Sequence, residues 1–282
     1  MFQRVLSLIL TLFLVAVSPV QTSFAQGSEP GADRDKIREF LEVTGFDVAI
    51  ASIQQGAMAG PALTGAAPDQ FGRNWVRLAE QVFAPDKMVD DAVDMIEAVM
   101  PADLLDHGVV FYGSDLGKRV VAVENESHMV EDAIRQTEGE KLVDELLEDR
   151  SPRLDVFKAM SQSVGSTDVA IRSIVEIQVR YLMAAAAAGA TDLEIGEEDL
   201  RGMLMAQQGE MRRSIEVHGL VANAYTYRSL SDQELIDYLS ALQSPQMMQV
   251  YEILNAVQYE IMADRYERLA TQLGRLQPES EL

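Results

Sequence analysis

Asp103, Asp106 and His107 stand at i, i+3 and i+4, a spacing that gathers side chains on one face of a helix. Glu124 and His128 repeat the i, i+4 step nearby. Carboxylates and imidazoles grouped in this way are donor types that take a divalent ion. The competing reading, an acidic solvated face with two surface histidines, is favoured because the matching positions 130 residues further on offer no histidine and only Asp237 as an acid. His218 has no acidic partner at helical spacing. Cysteine is absent, which excludes thiol nucleophiles, and no Gly-x-Ser-x-Gly turn presents a serine. The glycines of "GSDLGK" match neither a P-loop nor a dinucleotide fingerprint, so Lys118 is not read as a phosphate ligand. No catalytic residue and no cofactor are therefore expected, and Asp103, Asp106 and His107 are kept as the candidates should a metal bind. Met203, Met205, Met211, Met247 and Met248 read mainly as core filling, and Trp75 as a packing anchor.

The element that must position these groups is "GVVFYGSDLGKRVVAV", residues 108–123. Its β-branched residues suggest a hairpin and its glycines a ligand loop, but a second passage favours a corner between two helices. Shifted by 130 residues, "MPADLLDHGVVFYGSDLGKRV" lies over "LSDQELIDYLSALQSPQMMQV" without a gap. Leu105 falls on Leu235, Tyr112 on Leu242, Ser114 on Ser244 and Val120 on Val250, with apolar positions at i, i+3, i+4 and i+7. Ser244-Pro245 is a helix start, with a hydroxyl to cap free N–H groups and proline where no N–H is lost. Asp115 stands in the proline's place in the first copy, where a negative charge suits the helix dipole. Gly113 and Gly117 are expected to let the two helices pack closely.

Stripes of the same kind recur over 85–100, 140–150 and 168–189. "KIREFLEVTG" ends on Gly45 as a helix stop. Ser151-Pro152, Thr191 with Glu194 and Ser231 with Glu234 mark further starts. Residues 56–72 are rich in glycine, proline and small residues and read as a loop.

Residues 1–25 have one arginine, an apolar run of ~13 residues and small residues at Ser23 and Ala25, which together make an export signal cleaved after Ala25. The run is shorter than the ~20 residues of a membrane span, and no later stretch is long and apolar enough. The expected place is the periplasm. The chain carries 23 basic and 45 acidic residues, a net charge of −22, which disfavours nucleic acid and anionic lipid and favours basic partners and cations.

The corner residues Leu105, Phe111, Tyr112, Gly113, Ser114, Gly117 and Lys118 resemble a bacterial family, number 2059 among domains of unknown function. Its pattern runs acidic-Leu, Phe-Tyr, small residue, Ser, Pro, small residue, Gly, Lys. Asp115 departs from the family's proline, which Pro245 restores in the second copy. The likeness centres on about 85–140 and implies an exported helical protein, with no activity to carry onto particular residues.

The expected architecture is all-α, a helical bundle or short helical array of roughly eight to ten helices built from two degenerate repeats about 130 residues apart. The segments are a signal peptide at 1–25, a leader at 26–35, helical halves at 36–150 and 151–275, and a tail at 276–282. The expected function is that of a noncatalytic binding or protein-interaction module with an envelope protein partner. The alternatives are a carrier of a small apolar ligand between the halves, and a metal-dependent enzyme.

Overall fold

The computed structural model describes residues 34–58, 72–191 and 193–273. The signal peptide, its cleavage site, most of the leader, residues 59–71 of the expected loop and the tail lie outside the described residues. What is described is helical, with no strand. In chain order the helices are α1 (Arg34–Thr44), α2 (Phe46–Met58), α3 (Gly72–Val82), α4 (Pro85–Val99), α5 (Ala102–Tyr112), α6 (Asp115–His128), α7 (Asp132–Glu148), α8 (Arg153–Val164), α9 (Thr167–Ala187), α10 (Glu197–Met205), α11 (Gln208–Thr226), α12 (Asp232–Leu242) and α13 (Pro245–Leu273). The thirteen helices among the described residues exceed the expected eight to ten, in part because a single residue, Gly45, is enough to separate α1 from α2.

Local chemistry sets these boundaries. Gly45 has φ +71°, the left-handed conformation that ends α1 at the expected place. Pro85 opens α4 at its first position. Ser231 and Glu234 form the expected capping box. Two expected starts move. Pro152 caps α8 one residue late, with Ser151 Oγ accepting from Arg153 N at 3.3 Å, and α10 starts at Glu197 behind Gly196 rather than at Thr191.

The corner is helical. Ser114 Oγ accepts from Gly117 N at 3.1 Å, and 130 residues on Ser244 Oγ accepts from Met247 N at 3.2 Å. Adding 130 to the bounds of α5 gives those of α12, and adding it to the start of α6 gives that of α13. Leu105 and Leu235, Gly108 and Tyr238, Tyr112 and Leu242, Gly117 and Met247, and Val120 and Val250 are all buried. The match is local, since α6 stops at His128 while α13 runs to Leu273. At Gly117 a Cβ would lie 2.2 Å from Phe111 O and 2.5 Å from Tyr112 Cα, which is the close packing expected there.

One apolar cluster runs from Ile37 to Leu273 through both halves. Its fully buried side chains, among them Phe40, Ile50, Ile96, Phe157 and Ile171, contribute about 1.5–3 kcal/mol each by leaving water. The long α13 is central: it packs along α9 and also meets α4 and α5. A part-buried ion pair joins α13 to α4, with the buried Arg265 donating to Asp91. Trp75 is buried and donates from Nε1 to Ala57 O at 3.1 Å, as an anchor should. Met211 and Met247 fill the core, but Met203 and Met248 are about half exposed, so the core reading holds for only part of the methionine set.

Candidate functional site

The two corners face each other, and their tyrosines converge on one carboxyl. Tyr112 of α5, Glu124 of α6, Tyr238 of α12 and Tyr251 of α13 each come from a different corner helix. Tyr227, just beyond α11, joins them. The Tyr227 hydroxyl donates to Glu124 Oε1 at 2.6 Å and the Tyr238 hydroxyl donates to the same oxygen at 3.0 Å. Tyr112 lies 2.5 Å from Tyr251 and 3.3 Å from Tyr238, and Tyr238 lies 3.2 Å from Tyr251, all measured between hydroxyl oxygens. A hydroxyl has one proton to give, and those of Tyr227 and Tyr238 go to Glu124. Tyr112 and Tyr251 therefore direct theirs to each other or to Tyr238.

Ring packing fixes these hydroxyls. Phe111 stacks on Tyr238 with centroids 5.9 Å apart and planes within 6°. Tyr227 meets Tyr238 edge-on and leans against Phe157. Arg153 donates to the carbonyls of Tyr227 and Leu230, pinning the turn that presents Tyr227.

Burial raises the Glu124 carboxyl from 4.5 to about 7, while the hydrogen bonds from Tyr227 and Tyr238 pull it back down. Burial also pushes Tyr112, Tyr227 and Tyr238 well above the ordinary phenol value, so they remain neutral donors. His128, one turn after Glu124, is lowered from 6.5 to about 4 by burial first and the Arg135 charge second, against an opposing pull from Asp132. At neutral pH it is an uncharged imidazole.

Glu124 lines an open cleft between α6, α7, α8, α9, α11 and α12. Met160, Val164, Ile174, Ile215, Val221 and Leu242 make its body mainly apolar. Ser127 Oγ is 2.9 Å from Thr226 Oγ1, and Asn223 Nδ2 donates to Phe157 O and Ser161 Oγ, so these lining polar groups have partners. On α7, Arg135 donates to Asp132 and to Ser127 O. A smaller cavity on the far side of Glu124 is lined by Tyr112, Tyr251, Asn255 and Gln258, and also by Glu124 and His128.

The metal candidates do not assemble. Asp103 and Asp106 are exposed on α5, while the His107 Nε2 lies 3.4 Å from Ser244 Oγ in the other corner. Among the described residues no group of three His, Asp or Glu is arranged to hold a metal. Lys118 is exposed. The reading of Glu124 and His128 as a solvated face is corrected, because both line the cleft. A signal for this was present: Gly117, Val120, Val121, Glu124 and His128 share one helix face, so a carboxyl and an imidazole continue the buried stripe. Tyr227, Tyr238 and Tyr251 were missed, since nothing in their local spacing marks them.

No described helix is long and apolar enough to cross a membrane. No family model, no curated protein and no solved structure matches the chain.

Proposed function

We propose that this is an exported, noncatalytic binding protein whose cleft holds a small ligand with a mainly apolar body. The observation that carries the reading is the cleft itself, a mainly apolar lining that includes a carboxyl and tyrosine hydroxyls held in place by stacked rings. Of the functions expected from the sequence, the carrier accounts for this arrangement. A protein-interaction module also predicts an apolar groove, and it is the carboxyl and tyrosine hydroxyls among the lining of this one that favour a small ligand. A metal-dependent enzyme would need donors that the corner helices do not group.

Residues 1–25 support export to the periplasm with cleavage after Ala25. The matched corners, together with the resemblance to family 2059, support two degenerate copies that meet around Glu124. Sequencing of the protein recovered from the periplasm should begin at Gln26.

The test is mass spectrometry of molecules released on denaturing the natively purified protein, set beside Gly219→Phe. Gly219 lines the cleft, and a Cβ there meets only Ser161 Oγ at an ordinary 3.6 Å, so added bulk fills the space with little strain. A small amphiphile should leave the wild type and be missing from the variant. Equal recovery from both would remove the proposal.

A further inference from the structure

We infer that the ligand of this cleft is a hydrophobic organic cation, with its ammonium group seated on Glu124 Oε2 and its apolar body on the Met160, Val164, Ile174 and Ile215 wall. The inference rests on the cleft reading above and specifies its charge.

Both tyrosine hydrogen bonds fall on Oε1, and no described group donates to Oε2. Glu124 itself lines both the main cleft and the smaller cavity. Glu124 is half-buried, and no described basic side chain pairs with its carboxylate. The charged and titratable groups around the cleft do not supply the missing charge. On α6 His128 is neutral, and on α7 Arg135 is committed to Asp132 and Ser127 O. On α11 His218 Nδ1 is engaged 2.8 Å from Ser214 O. The hydroxyls of Tyr112, Tyr227, Tyr238 and Tyr251, from α5, the turn after α11, α12 and α13, stay protonated. An ammonium ion with three donors fits an acceptor oxygen in this setting. The net charge of −22 attracts cations to the molecule and repels anions.

Titration calorimetry with octylammonium, octanoate and 1-octanol separates the possibilities, since the three share one chain and differ in head group. At pH 7, where the Glu124 carboxyl is near its midpoint, a seated ammonium ion drives it to the carboxylate. Octylammonium should therefore bind at least about tenfold more tightly than octanol and release about half a proton, read from the dependence of the heat on buffer ionisation. Glu124→Gln should abolish both the preference and the proton release. Should that variant fail to fold, the proton count of the wild type decides alone. Tighter octanoate binding with proton uptake, or equal affinities with no proton change, would overturn the cation inference and leave the cleft reading standing. Failure of all three to bind would overturn both.

Discussion

Glu124 determines how the site responds to pH. Its folded pKa of about 7 lies above the ordinary 4.5, so the native state binds a proton that the unfolded chain has lost. Its contribution to stability is complete below about pH 4.5 and is lost as pH rises through about 7, amounting to about 3 kcal/mol. His128 has the opposite sign. Its folded pKa of about 4 lies below 6.5, so its contribution is present above about pH 6.5 and is lost as pH falls towards 4. Between about pH 4.5 and 6.5 the two slopes oppose each other, and the difference between wild type and a variant is the clean measure. Glu124→Gln keeps an oxygen for the two tyrosines and removes the charge. In urea denaturation it should match wild type near pH 4.5 and be more stable by about 2–3 kcal/mol at pH 8. A variant less stable than wild type at pH 8 would show that the carboxylate is stabilised where it sits.

At the scale of elements, the two serine-capped corners bring distant residues to one point. Ser114→Ala and Ser244→Ala should each cost about 1 kcal/mol, because each hydroxyl satisfies an N–H at a helix start. Gly117→Ala is the sharper probe. Its methyl would meet the backbone of Phe111 and Tyr112, so α5 and α6 must separate, at a cost of about 1–3 kcal/mol or more by overpacking. An unchanged thermal midpoint for Gly117→Ala would remove the close-packing account of this corner. These elements were legible in the sequence because caps, glycine stops and apolar periodicity act over a few residues. The start at Thr191 was misplaced because a Thr with a Glu three residues on resembles a capping box whether or not a helix follows. The site was legible only in part. Glu124 and His128 continue a buried stripe that could be read, whereas Tyr112 and Tyr238 lie 126 positions apart and meet through packing that no local pattern encodes.

At the scale of the whole molecule, α13 packs against α9 and also against α3, α4 and α5, and a polar link to α4 is the Arg265–Asp91 pair. Arg265 is 3% exposed, and besides Asp91 its partners among the described residues are Val82 O at 3.4 Å and Asp264 at 3.9 Å. Asp91→Ala should cost about 3 kcal/mol by leaving a buried guanidinium without its main partner. The double variant Asp91→Ala, Arg265→Leu should recover much of that. Because the core is continuous, unfolding followed by circular dichroism and by tyrosine fluorescence should give one coincident transition.

The central claim is that the cleft beside Glu124 takes the apolar body of a small ligand, and a backbone amide chemical-shift titration with 1-octanol, a neutral probe, tests it most directly. The account predicts saturable shifts concentrated at residues 124–128 of α6, 160–164 of α8 and 215–227 along and just beyond α11, all lost in Gly219→Phe. Shifts spread evenly over the surface, or persisting in that variant, would contradict it.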